Sequence, residues 1–195
     1  TKIIWIWNTY FFRNFKNLYP EIELEVVEAG GIDSLRMIEN EELDLAVTNY
    51  DDSFSPNLHY RKLFKSEACF CTYPDHPLAQ KKYVDTKDIA NEPLVLLNGG
   101  FFVNRLIYQN FQQALTAPKV ILHSSQLHTV KNLISSQIAS SFLMRQAITA
   151  SDNIIPLSLK KPLFINSGIV TKRGRQIYGD EQKLIEFICD NQPLG

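Results

Sequence analysis

The residues of this chain that could do chemistry are four histidines, three cysteines, a few serines and one crowd of carboxylates. His123 and His128 stand five apart across a strand-to-helix turn, so they share no helix face and match no zinc spacing. A structural or exposed role is expected for both. His76 lies between Pro74 and Pro77 beside Asp75, which suggests an acid–base pair. Turn chemistry already accounts for "PDHP", and a surface turn is expected there. A serine nucleophile needs an elbow, and no GxSxG is present; Ser124-Ser125 reads as a helix cap. The glycine pairs at Gly30-Gly31 and Gly99-Gly100 are too short for a phosphate-binding loop. Glu39, Glu41 and Glu42 read as a solvated face, and "KRGR" (Lys172–Arg175) as a surface turn. Cys69 and Cys71, two apart in a strand-like run, point to one face and read as core, as does Cys189 in a helical pattern. An odd cysteine count with no disulfide framework suits a reducing cytoplasm. No catalytic residue, metal site or cofactor is expected from these patterns.

The rest of the composition agrees. The chain has 195 residues, 45% hydrophobic and 21% charged, with a formal net charge of −1. That fits one domain or two small lobes, and a near-neutral chain is poorly suited to wrapping a phosphate backbone. No apolar run approaches the ~18 residues of a membrane span. The chain begins without a visible secretory signal, although a signal already removed would look the same.

The elements that must position any site come from periodicity. "KIIWIW" favours a strand, Asn8-Thr9 a helix cap, and Phe11, Phe15 and Leu18 a helix closed by Pro20. "EIELEVV" alternates, with Ile22, Leu24 and Val26 on one strand face. "AGG" breaks it, and Ile32, Leu35 and Ile38 mark a short helix. "LDLAV" (Leu43–Val47) is a buried parallel strand. "ACFCTY" is a strand stopped by "PDHP", followed by a lysine-pair turn and a short "DTKDIA" helix capped by Asp85 or Thr86. "LVLL" (Leu94–Leu97) is again a buried strand. A second βα series follows: a helix through Val103, Ile107, Phe111 and Leu115; the strand "KVIL"; a helix with Leu127, Val130, Leu133 and Ile134 inward; the strand "SFLM"; a short "RQAITA" helix; and the strand "NIIPL". The long run "PLFINSGIVTK" leads to a capped helix, "DEQKLIEFICD". Two βα series joined by two long strand segments predict an α/β fold of two Rossmann-like lobes with a double crossover. Residues 1–70 plus 166–195 would form lobe I and 71–165 lobe II.

Open α/β sheets bind ligands beyond the carboxyl ends of their strands. The segments there are Asn8-Thr9, Ala29–Gly31, Asn98–Phe102 and Ser124–Leu127. Gly31, Asn98, Gly99, Ser125 and Gln126 can present backbone N–H groups and neutral polar side chains to a small anion. Phe101 and Phe102 can cover an apolar part of the ligand.

The stretches "FKNLYPEIELEVVEAGG", "IENEELDLAVTN", "YPDHPLAQKKYVDTKDIANEPLVLL" and "VKNLISSQIASSFLMRQAI", in this order, resemble the effector-binding domain of LysR-type transcriptional regulators. The resemblance covers essentially the whole chain; "ELDLAV" and "HPLA" with its trailing "EPLVLL" carry it most strongly. It implies a type 2 periplasmic-binding-protein fold and an inter-lobe cleft that binds a small-molecule effector, expected to be anionic. It places ligand contacts at Asn8, Thr9, Gly31, Asn98, Phe101, Ser125 and Gln126. It also implies a cytoplasmic homodimer or tetramer, with the Tyr10–Leu18 and Gln126–Ser135 helices as dimer faces. DNA would be reached only through a winged helix-turn-helix domain absent from this chain. Two departures stand out. "WIW" runs almost directly into "NTYFF", where the family has a longer loop. The family's "GxGIxxxP" segment appears as "QIASSFLM", with Gln137, Ala139 and Met144 replacing two glycines and a proline. The alternatives on the same architecture are a transporter's solute-binding protein and a two-lobe enzyme such as a dehydratase.

Overall fold

The computed structural model describes residues 1–5, 9–51, 53 and 55–191. In chain order its strands are β1 (Lys2–Trp5), β2 (Glu25–Val27), β3 (Leu45–Tyr50), β4 (Leu58–Thr72), β5 (Tyr83–Val84), β6 (Leu94–Leu97), β7 (Val120–Ser124), β8 (Ser141–Met144), β9 (Ile155–Leu159) and β10 (Leu163–Lys172). The helices are α1 (Thr9–Leu18), α2 (Gly31–Glu39), α3 (Phe102–Gln113), α4 (Leu127–Ser135) and α5 (Gly179–Asp190). The chain divides into two compact units, Thr1–Lys65 with Asn166–Gly195, and Ser66–Ile165. The long strands β4 and β10 run from one unit into the other.

In the first unit β1 lies between β2 and β3, parallel to both, and β10 runs antiparallel to β3. The first half of β4 follows β10 in the strand order. Helices α1 and α5 supply Phe11, Phe15, Leu184, Phe187 and Ile188 to a core built on Ile3, Leu45, Val47 and Ile169. Phe187 meets Phe11 and Phe15 edge-on, at 4.6 and 5.3 Å between ring centroids, a geometry that favours the ring quadrupoles. Gly168 is required where it stands, because a Cβ there would lie 2.3 Å from the Arg61 carbonyl.

The second unit explains why its strands read as unbroken apolar runs. Strand β6 pairs in parallel with β7 and bridges to Ser140 just before β8. Strands β8 and β9 each run antiparallel to β4, and β5 joins β9. Side chains alternate across this sheet. Phe70, Leu94, Leu96 and Phe142 join Val103, Ile107 and Phe111 of α3. Cys69, Cys71, Val95, Leu97 and Leu143 join Val130 and Ile134 of α4. With a helix on each face, both sides of "ACFC", "LVLL" and "FLM" are apolar, and the buried Ser141 satisfies its hydroxyl on the Val95 carbonyl at 2.6 Å.

Several expectations from the sequence are corrected. β2 is three residues long, and Val26 is exposed while Ile22 is buried. "DTKDIA" is a run of turns rather than a helix, with Asp85 accepting from the Lys87 N–H. "RQAITA" holds two separate 3-10 turns, Arg145–Ala147 and Ala150–Asp152. β4 extends ten residues upstream of "ACFCTY". Leu127 in the first turn of α4 is exposed rather than inward. Leu115 lies beyond α3 with φ of 55° and is 95% exposed, because the chain turns into the left-handed region there. The Thr116 N–H reaches back to the Phe111 carbonyl and closes the helix, a Schellman-type ending. Helices α2 and α4 end alike, with Glu41 and Gln137 at φ of 61° and 62°.

His76 is also corrected, being buried rather than in an open turn. Its Nδ1 accepts from the Leu78 N–H at 3.1 Å, so its Nε2 carries the proton and donates to Glu92 at 3.0 Å. Its partner is Glu92, not Asp75, and it fastens the "PDHP" turn to the approach of β6.

Candidate functional site

The carboxyl edge of the second unit's sheet is the best-formed candidate. Leu97 stands opposite Ser124 in the β6–β7 ladder, and the Asn98 N–H donates to the Ser124 carbonyl at 2.9 Å. The chain leaves both strands at one level and enters two helices. Phe101 is the N-cap residue of α3 and Gln126 that of α4, and neither side chain caps its helix. The first N–H groups of each helix therefore lack an intrahelical acceptor and carry the positive end of the helix dipole. Asn98, Gly99, Ser125 and Gln126 are exposed along this edge, and Phe101 is half-buried. The Ser124 hydroxyl, rather than Ser125, shapes the entry to α4: its Oγ accepts from the Gln126 N–H at 3.1 Å. Beneath the other loop the buried Asn104 Nδ2 donates to the carbonyls of Leu97 and Asn98, at 2.5 and 2.9 Å. These bonds occupy the loop's acceptors from below, and the Phe101 N–H closes the turn on the Asn98 carbonyl at 3.3 Å. Four expected residues, Asn98, Gly99, Ser125 and Gln126, are thus brought to one edge together with Phe101.

The first unit shows a similar arrangement of its own. Thr9 is the first residue of α1, after β1, and Gly31 the first of α2, after the adjacent β2. Asn8 lies outside the described residues. Gly30 caps α2 without a side chain, and the buried Ser34 spends its hydroxyl on the Gly30 carbonyl at 2.7 Å. The first-turn N–H groups of α2 are left without an intrahelical acceptor.

Sequence reasoning missed a cluster at the end of β8. The ladder pairs Ala68 with Met144, and the side chains continue that register. Glu67 Oε2 accepts from Arg145 Nε and Nη2 at 2.9 and 2.8 Å, and Ser66 donates to Gln146. Arg145 Nη2 also reaches the Ser158 hydroxyl at 2.9 Å. Burial raises the Glu67 carboxyl pKa, but hydrogen bonds from Ser158 and Arg145 outweigh it and hold the group below its ordinary value. Nothing local in "SEAC" or "MRQA" announces this pairing, which joins residues 78 apart.

No chemistry emerges from the cysteines. Burial pushes the Cys69 thiol up to about 12 and the Cys71 thiol higher still, so neither supplies a thiolate near neutrality. Among the described residues no group of three or more His, Cys, Asp or Glu could hold a metal ion.

The fold is mixed α/β, with two helix starts side by side at the ends of paired parallel strands. The family model of the LysR substrate binding domain matches residues 7–192, and the chain belongs to that family: it is an effector-binding domain of the LysR type. It is 25% identical over 183 residues to the transcriptional dual regulator GltC of Bacillus subtilis (strain 168), across 89% of this chain and 59% of that protein. The chain thus spans about six tenths of that relative. The regulatory domain of Synechocystis PCC6803 CcmR, solved in complex with 2-PG, superposes with a TM-score of 0.85 at 17% identity, covering 97% of this chain and 94% of that one. The effector-binding domain of QuiR, solved in complex with shikimate, gives 0.78 at 18% identity, covering 97% and 93%. These likenesses establish the periplasmic-binding-protein-like fold, and the family's members are transcriptional regulators rather than typical enzymes.

Proposed function

We propose that this domain binds a small organic anion at the carboxyl edge of the second unit's sheet, and that binding controls transcription through the regulator of which the domain is a part. The observation that carries the reading is the convergence of the α3 and α4 starts at Asn98–Phe101 and Ser125–Gln126, held by the Asn98–Ser124 backbone bond. Helix-start N–H groups, neutral side chains and the Phe101 ring fit an anion with an apolar body. Thr9 and Gly31, as helix starts of the first unit, are candidates for the same role there. That QuiR and CcmR domains were solved with shikimate and 2-PG supports an acidic ligand. DNA would be reached through a winged helix-turn-helix elsewhere in the regulator, which would work in the cytoplasm. Among the described residues no helix is long and apolar enough to cross a membrane.

The test is a thermal-shift screen of small carboxylates, phosphorylated acids and amines, followed by calorimetry on the strongest binder. Ser125→Ala is expected to weaken binding about 5- to 150-fold, the cost of removing one partner from a desolvated polar contact, with the fold unchanged. Unchanged affinity in both Ser125→Ala and Gln126→Ala moves the site elsewhere. A cationic binder refutes the charge argument.

We further propose that two copies associate. On the second unit the Gln126–Ser135 helix is the expected face, and the exposed Ile121 and Leu122 of β7 and Tyr108 of α3 are candidates to extend it, at 44–51% exposed. In the first unit Leu18 of α1 and Val26 of β2 are exposed. β2 ends the strand order of its unit and β7 that of its own, and an uncovered apolar edge strand is a template for pairing.

A further inference from the structure

We infer that Arg145 is the residue that holds the acidic group of the effector, with Glu67 as the positioning residue that fixes its guanidinium. The inference rests on the effector-site reading above and names a charged group that reading lacked. Strand registers place Arg145 at the same edge. Leu97 pairs with Ser124, Leu94 lies beside Ser140 in parallel, and Ala68 pairs with Met144. Beyond that bridge the Ser141 hydroxyl donates to the Val95 carbonyl, and β8 ends at Met144, one residue before Arg145. Arg145 therefore follows β8 on the edge where β6 and β7 end at Asn98 and Ser125, and its side chain reaches toward Glu67 on antiparallel β4 and Ser158 on β9.

The state of the guanidinium supports the assignment. Nε and Nη2 are committed to Glu67 and Ser158, which fixes the plane of the fork. Nη1 has no hydrogen-bond partner among the described residues, and the side chain is 42% exposed while that of Glu67 is 13% exposed. Arg145 thus presents one edge of a fixed, permanently charged donor to solvent, and little rotamer entropy remains to be lost when it takes up an oxyanion. A purely structural pair would gain nothing from leaving Nη1 outward. The starts of α3 and α4 on the same edge add positive partial charge, which offsets the neutralising effect of Glu67.

Carboxylate and phosphate share the oxyanion chemistry that Arg145 would read, and the test separates them. The chain is titrated with succinate and, separately, with inorganic phosphate, while the Arg145 Nε–Hε resonance is followed by NMR in the unsubstituted protein. A saturable shift of that resonance is expected with at least one probe, and the probe that gives it identifies the preferred anion. Arg145→Gln is expected to weaken that probe roughly 10- to 100-fold, and Arg145→Lys to restore part of the loss. No saturable shift with either probe, or a probe that binds Arg145→Gln as tightly as the unsubstituted chain, overturns the assignment. The two readings fail differently. Binding that depends on Ser125 and Gln126 but not on Arg145 sinks this inference and leaves the effector site. Binding that depends on none of them sinks both.

Discussion

At the scale of single residues, the informative side chains are those whose partners lie far away in sequence. His76 is held by the Leu78 N–H and by Glu92. Replacing it with leucine would leave the Glu92 carboxylate and a backbone donor without their partner. His76→Leu is expected to cost about 1–3 kcal/mol, measured by urea unfolding, with effector affinity unchanged. Asp152 gives a pH prediction. Burial raises its pKa, but the Lys131 ammonium at 2.7 Å and the Thr149 N–H and hydroxyl together lower it below the ordinary 3.8. A depressed folded-state pKa contributes stability that is fully present above the unfolded value and is lost as pH falls through the folded one. The stability difference between the unsubstituted chain and Asp152→Asn should therefore be constant above about pH 5 and shrink below about pH 4. A difference that grows on acidification would show that Asp152 is not held as an anion.

At the scale of elements, the helix ends carry an uncommon feature. Three of the five helices finish with a non-glycine residue in the left-handed region: Glu41, Leu115 and Gln137. An L-residue pays roughly 1–2 kcal/mol for that conformation, and glycine pays almost nothing. Part of the gain is offset by the greater freedom of glycine in the unfolded chain. Gln137→Gly and Leu115→Gly are each expected to stabilise the second unit by about 0.5–1 kcal/mol, measured as a raised denaturation midpoint. Gln137 stands where the family resemblance places a glycine, so φ at this position explains why a glycine suits it. Met144, which replaces the family's proline, keeps a φ of −65°, the value a proline ring would impose.

At the scale of the whole molecule, two edge strands with exposed apolar side chains decide the expected association. Ile121 and Leu122 on β7 are about half exposed, and only Lys119 in the preceding residue offers a charge to discourage pairing. Light scattering of the unsubstituted chain at tens of micromolar is expected to give a dimer mass, and the double substitution Ile121→Lys, Leu122→Lys a monomer. Positions this exposed tolerate charge with little loss of stability, within about 0.5 kcal/mol per site. A monomer in the unsubstituted protein, or a dimer that survives both lysines, would move the interface away from β7.

What the sequence determined by itself follows from periodicity and punctuation. The period-2 and period-3.6 patterns located, among the described residues, nine of the ten strands at least in part and all five α-helices. Only the two-residue β5 left no signal. The inward faces of α3 and α5 were also legible, because amphipathic spacing is a local consequence of backbone geometry. So were the segments at the strand ends, since a chain leaving a buried parallel strand for a helix must pass through them. Only the tertiary structure decided what pairs with what. "DTKDIA" had the capping residues of a helix, yet it forms turns directly after β5, with the Asp88 carboxylate accepting from the Lys81 ammonium and the Asp85 N–H. His76 carried the composition of a surface turn, yet Glu92, sixteen residues on, buried it. Arg145 and Glu67, 78 residues apart, met because antiparallel β4 and β8 set their register. Such a pairing depends on how strands associate in three dimensions, and no pattern within either segment encodes it.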